Sequence, residues 1–163
     1  MSDHVAIMKK SYGLVPKILS GNKKIESRWY KKRSAPWGKI KDGDIVYFKN
    51  SGEPVSVKTE VKKIISFSDL NSEKVKNILD RYGKNDGIGK DKIQEFFKLF
   101  KNKKYCLLIF LKNPKPIKPF EINKTGFGIM SAWLTVEKIG RVKISKATRE
   151  LLWGNQKSAK IPL

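Results

Sequence analysis

Four residues at fixed spacing, Gly21, Lys23, Glu26 and Arg28, are the part of this 163-residue chain best equipped for chemistry. On an extended strand alternate residues share a face, so Lys24, Glu26 and Arg28 line up and the Glu26 carboxylate can pair with the Arg28 guanidinium. Lys23 would point the other way on a regular strand. It follows so closely on the turn at Gly21, however, that its side chain can swing into the same site. An ammonium, a carboxylate and a guanidinium grouped in this way can fix a phosphate, move a proton, or serve only as an ion pair inside a barrel. The ring of Trp29 stands beside them, and Lys9 lies close in sequence.

The elements that must position these groups are legible on either side. Residues 4–8 read as a strand, and Lys9 to Gly13 as a turn. Leu14, Ile18 and Leu19 then mark one face of a short helix, with Pro16 near its start and Gly21 where a left-handed cap ends it. The motif strand follows from Ile25. Residues 31–41 carry five basic residues, Pro36, Gly38 and Trp37 in a surface loop. There Trp37 either grips a ligand or folds back over the end of a barrel. Strands over 45–49 and 55–67, joined through Asn50-Ser51-Gly52, predict a β-hairpin.

Two amphipathic helices come next, one marked by Val75, Ile78, Leu79 and Tyr82, the other by Ile93, Phe96, Phe97 and Phe100. The Gly83–Lys90 connection between them fits neither a calcium loop nor a phosphate loop. With Asp86-Gly87 at loop positions five and six, Tyr82, Lys84 and Ile93 fall where calcium needs carboxylates, and no Gly-Lys-Ser/Thr ending is present. Lys104 to Lys112 predicts a strand buried on both faces, and Pro114, Pro116 and Pro119 an extended connection. Phe127–Met130 and Trp133–Ile139 read as the last strands, with Val142–Ile144 a short edge. Ser145 can cap a final helix carrying Ala147, Leu151 and Leu152, and the tail from Gly154 to Leu163 is expected to be mobile.

The length suits one domain, 1–145, with a helical hairpin inserted at 70–102 and a C-terminal helix and basic tail at 146–163. Thirty-six Lys and Arg against 15 Asp and Glu leave a net charge of +21, which calls for an anionic partner. Basic residues interleave with aromatics, as in Arg28-Trp29-Tyr30-Lys31-Lys32-Arg33, so RNA or a nucleotide is the expected partner, with DNA next. A Lys-rich composition is the plainer account of part of that charge. Cys106 and His4 are each the single residue of their type, which removes disulfides, thiolate zinc sets and Ser-His-Asp catalysis. No metal and no cofactor is expected. No apolar run approaches the ~20 residues of a membrane span and the start lacks a signal-peptide core, so a reducing, cytoplasmic setting is expected.

The spacing Gly21, Lys23, Glu26, Arg28 resembles the GxKxxExR motif of the ASCH domains, a branch of the PUA-like superfamily. Gly43 to Gly52 resembles the strand that follows in that family, and Pro119-Phe120-Glu121-Ile122, Gly126-Phe127-Gly128 and Ala132-Trp133-Leu134 its closing strands. Together these blocks span roughly residues 5 to 140. The resemblance implies an α+β, PUA-like mixed β-pseudobarrel with flanking helices and a cleft lined by the motif. That cleft would gather Lys23, Glu26, Arg28, Asn50 and Ser51 with the Phe127 to Ser131 segment. It would accept a nucleotide or an extruded modified base, with Lys9, Lys23 and Arg28 on phosphates, Trp29 or Trp37 stacking, and Asn50 or Ser51 reading a base edge. Some ASCH-type proteins are ribonucleases or acetylcytidine amidohydrolases, the latter using a Lys, a Thr and a Glu. Lys23 matches their Lys, which makes Lys23 and Glu26 the catalytic candidates. Glu26, however, stands where those enzymes keep the Thr, and their second carboxylate has no evident counterpart in the sequence.

Overall fold

A computed structural model describes residues 1–152. Seven strands form one mixed sheet that curls into a half-barrel, in the order β2-β5-β4-β3-β1-β6, with β7 on the far end of β5. The strands are β1 (Asp3–Met8), β2 (Ile25–Tyr30), β3 (Ile45–Asn50), β4 (Val55–Phe67), β5 (Tyr105–Ile122), β6 (Trp133–Val136) and β7 (Lys143–Ile144). Helix α1 (Leu14–Ser20) leads from β1 to β2, and α2 (Ser72–Tyr82) and α3 (Ile93–Phe100) form the hairpin between β4 and β5. All pairings are antiparallel except β1 with β3, where the chain crosses through α1 and β2 before returning alongside β1.

Period-two alternation explains how one sheet serves several cores. On β5, Leu107, Ile109 and Leu111 turn inward to join Phe48, Val57, Trp133 and Ile18 of α1. The intervening Cys106 and Leu108 turn outward, where Ile25 of β2 and Val75, Leu79 and Ile88 of the hairpin cover them. The expected burial of this strand on both faces is therefore met by the hairpin on one side. A third cluster, with Val5, Tyr47, Val55, Ile122 and Leu134, closes the opposite end.

Three sequence expectations are corrected. The proline-rich stretch is not a connection, because β5 runs through it to Ile122. Beyond Phe110 the strand has lost β2, and it meets β7 only at Glu121 and Ile122, so the prolines lie where one edge lacks a partner. Repeated register shifts against β4 absorb the misfit. Phe127–Met130 is not a strand. Gly126 and Gly128 adopt φ of 91° and 89°, and the Lys124 ammonium ties the resulting turns by donating to the carbonyls of Ile129 and Ser131, each at 2.8 Å. The strand predicted over 133–139 stops at Val136, and Ile139 opens a 3₁₀ turn.

Ser145 does cap a helical segment, its hydroxyl accepting the Thr148 N–H at 3.1 Å, and the described chain ends within that segment at residue 152. The expected tail at Gly154–Leu163 lies outside the described residues.

Since the hairpin covers a core shared with β2 and β5, Leu79, only 2% exposed, is part of the main fold. Leu79→Ala is expected to lower unfolding free energy by about 2–4 kcal/mol in urea titrations. A loss below about 1 kcal/mol would place the hairpin outside the cooperative unit.

Candidate functional site

The motif is shaped by its two ends. Gly21 caps α1 in the left-handed region at φ 83°, and its N–H reaches the Ile18 carbonyl at 3.1 Å. The chain doubles back, with Lys23 N–H on the Lys17 carbonyl at 2.9 Å, and Lys24 and Ile25 N–H groups both donate to Asn85 O, at 2.7 and 2.9 Å. That last contact brings the hairpin connection, 60 residues downstream, against the start of β2. It also delivers Asp86.

The Lys23 ammonium sits between two carboxylates, 2.5 Å from Asp86 Oδ1 and 3.2 Å from Glu26 Oε1, and donates to the Asp86 carbonyl at 2.6 Å. Arg28 donates to the other Glu26 oxygen from Nε and a terminal nitrogen at 3.1 and 2.8 Å, and Ser27 Oγ donates to Asp86 Oδ2 at 2.5 Å. Trp29 Nε1 in turn donates to Ser27 Oγ at 3.0 Å. Gly87 is required beside this network. Its φ is 81°, and a Cβ there would stand 3.2 Å from Lys23 Cδ.

Two cations and two carboxylates leave the cluster neutral. Burial alone would pull the Lys23 amine down, but Asp86 and Glu26 outweigh it and hold the ammonium above its ordinary range. Burial would raise Glu26, yet Lys23 and Arg28 hold it below. Asp86 ends higher than an ordinary carboxyl, because burial, reinforced by Glu26, exceeds the pull of Lys23. A lysine held charged in this way is unsuited to act as a base or nucleophile at neutral pH, and Asp86 is the member that most readily takes a proton.

These groups floor a cleft of about 270 Å³, close to the low end of small-ligand pockets at roughly 300 Å³. Aromatic rings line it in series. Trp29 stacks on Phe100 at 4.6 Å and 7°, Phe100 meets Phe96 at 5.8 Å, and Phe96 meets Tyr12 at 5.5 Å. Lys9, lying over Tyr12 at 5.0 Å, and Lys103 stand at its rim.

The structure thus brings Lys9, Lys23, Glu26, Arg28 and Trp29 to one cleft, and separates the other candidates from it. Trp37 packs edge-on against Tyr105 at 5.5 Å and Tyr30 at 6.4 Å, closing the barrel end. Asn50 donates to Glu53 at 2.8 Å, and Ser51 lines a second cavity instead. Phe127 is exposed in its glycine turn, and the Ser131 hydroxyl donates to the Trp133 carbonyl at 2.9 Å. His4 is buried with Asp44, Thr135 and Trp133, away from both cavities.

Asp86, Ser27, Tyr12, Phe96, Phe100 and Lys103 were not anticipated as site residues. One signal was present in the sequence, the aromatics of α3 at helical spacing, and the structure leaves no residue of that helix fully buried, as fits a face shared with a cleft. Among the described residues no group of three His, Cys, Asp or Glu is placed to hold a metal, and no helix is long and apolar enough to cross a membrane.

The chain has the fold of the ASCH protein of Zymomonas mobilis. That crystal structure matches with a TM-score of 0.55 and 16% identity, over 92% of this chain and 93% of that one. Two single-substitution variants of it match over the same 92% of this chain and 96% and 94% of theirs, with TM-scores of 0.56 and 0.55 and 16% identity. No protein-family model and no curated protein matches the sequence.

If charge balance holds the cluster, Lys23→Met should cost on the order of 3–5 kcal/mol at neutral pH, by stranding two buried carboxylates beside one guanidinium. The sign of the pH dependence follows from the carboxylates. Without Lys23 the burial of Asp86 is no longer opposed by a cation and Glu26 keeps only Arg28, so protonation on acidification from neutral pH relieves the repulsion. The deficit against wild type should then narrow by about 1 kcal/mol or more near pH 5, measured by urea titration. A pH-independent deficit would assign the loss to packing.

Proposed function

We propose that this ASCH-fold chain is a nucleic-acid-binding module whose cleft takes one nucleobase, with RNA or a nucleotide as ligand and single-stranded DNA the related polymer. The observation that carries the reading is the pairing of an aromatic wall with a charge-neutral polar floor. A phosphate gains nothing from a floor whose two cations are already matched by Glu26 and Asp86. A planar base stacks on the rings and offers ring and exocyclic donors to Glu26 Oε1 and the two Asp86 oxygens, each of which has one partner and can accept a second hydrogen bond. This revises the expectation that Lys23 and Arg28 hold phosphates. The phosphate contacts fall to the rim, at Lys9 and Lys103, and to an adjoining ridge. There the Lys104 N–H bonds the Tyr30 carbonyl at 2.9 Å, so exposed Lys101 and Lys104 lie near exposed Lys31, Lys32 and Arg33. A base that enters such a cleft must leave its stack, which favours single strands, ends or modified positions.

One further observation favours a second reading, hydrolysis. Ser27 supplies a hydroxyl one residue beyond the position where the amidohydrolases resembling this chain keep a Thr, and it donates to a carboxylate that also touches Lys23. In an amide-cleaving cycle Ser27 Oγ would add to the carbonyl carbon as its proton passes to Asp86. The amine would leave with that proton, and water would then release the acyl group from Ser27.

Affinity for a single-stranded oligonucleotide should fall with salt, with a log-log slope of roughly −3 to −6 for about five neutralised phosphates. Replacing Lys31, Lys32 and Arg33 together should flatten that slope without changing base preference. Trp29→Ala should cost about 1–3 kcal/mol of binding. Salt-independent binding, or full affinity in Trp29→Ala, would overturn the base-in-cleft reading.

Acetylcytidine hydrolysis assayed on wild type, Ser27→Ala and Asp86→Asn separates the two functions. No turnover in wild type is the expected result. Turnover that falls about 100-fold or more in both variants would establish the hydrolase instead.

A further inference from the structure

The second cavity, about 440 Å³, shares Ile7 of β1 with the first. Its distinguishing residue is Lys49. A lysine near the end of a strand ordinarily extends to solvent, yet Lys49 is only 5% exposed, at the register shift between Phe48 and Lys49 on β3. Among the described residues its ammonium makes no hydrogen bond and no ion pair. Burial, Arg149 and Lys124 all disfavour its charge, and Glu121 is the carboxylate acting in the other direction.

The surrounding charges are unbalanced, in contrast to the first cleft. Lys49, Lys124 and Arg149 line the cavity. Glu121 stands 3.2 Å from Arg149 Nε, an ion pair whose angles do not make a hydrogen bond. Lys124 has committed two donors to the carbonyls of Ile129 and Ser131. Three cations against one carboxylate leave two positive charges around this cavity, with Ile7, Ile122 and Ile129 as an apolar wall. Burial of the Lys49 side chain and the two neighbouring cations disfavour its charge, and an anion entering the cavity would offset that cost.

We propose that this cavity binds a phosphomonoester: the dianionic phosphate pairs with Lys49, assisted by Arg149 and the remaining Lys124 donor, and the organic body lies against Ile7, Ile122 and Ile129. A dianion matches the charge excess where a monocarboxylate would leave half of it. The volume exceeds that of the base cleft, so a sugar can enter with the phosphate. Both a free nucleotide and the phosphorylated end of a polynucleotide carry this group. The site is independent of the base cleft, because none of its charged residues lines that cleft.

Inorganic phosphate carries no base, so it separates this site from the base cleft, and any contact with the rim or ridge registers at Lys9, Lys103 or Lys31 instead. Added to isotopically labelled wild-type protein, it should shift the amide resonances of Lys49, Asn123 and Arg149 and leave Glu26 and Trp29 unmoved. Shifts confined to residues outside the Lys49 cavity, or none, would overturn the proposal. By calorimetry, adenosine 5′-monophosphate should bind about tenfold or more tightly than adenosine. Lys49→Met, checked for folding by circular dichroism, should abolish that difference, whereas Trp29→Ala, which alters only the base cleft, should leave adenosine 5′-monophosphate binding at the Lys49 cavity unmoved. Equal affinities in wild type, or a difference that survives in Lys49→Met, would refute the assignment. Comparing 5′-phosphorylated with 5′-hydroxyl oligoribonucleotides identifies the source. A phosphate-dependent gain points to a polynucleotide end, and a gain seen only with the mononucleotide points to a free nucleotide.

Discussion

The Lys23 ammonium, enclosed between Glu26 and Asp86, is the interaction on which the arrangement of this molecule depends. A buried cation tolerates little displacement of its counter-charges, since each carboxylate it loses becomes an unpaired charge in a poorly solvated site. Lys23 therefore couples three parts of the chain: the cap of α1, the start of β2 and the connection of the inserted hairpin. The backbone bonds from Lys24 and Ile25 to Asn85, and the close approach of Gly87 to the Lys23 stem, fix the same junction from outside. The hairpin is thus a structural member of the site as well as a cover for β2 and β5.

That neutral junction explains how a chain of net charge +21 can present a cleft suited to an uncharged ring. Part of the excess charge lies on the rim and on the ridge beside the end of β2, outside the neutral floor. Around Lys49 the opposite holds, for there the cations outnumber the carboxylates. One fold so places two cavities of contrasting electrostatic character against Ile7 of a single strand. The difference comes from counter-charges rather than from the number of basic residues.

The sequence by itself determined what local rules control. The glycine cap at Gly21, the extended motif strand, the β3–β4 hairpin, the two amphipathic helices and the two-faced burial of β5 all follow from periodicity and turn chemistry among near neighbours. The motif spacing likewise placed Glu26 beside Arg28. Tertiary structure decided what long-range packing controls. Asp86 could not be assigned to Lys23 across 63 residues, because nothing in the Asn85-Asp86-Gly87 turn says which strand it will face. Trp37 was equally compatible with a ligand or the barrel end until Tyr30 and Tyr105 closed around it. The resemblance to the ASCH domains groups Asn50, Ser51, Phe127 and Ser131 with the motif. The crossover that makes β1 parallel to β3 instead leaves them outside the first cleft, with Ser51 lining the second cavity. The prolines of β5 were read as breaking the strand, because a missing N–H matters only where a neighbouring strand would accept it, and the partner of each edge is a property of the assembled sheet.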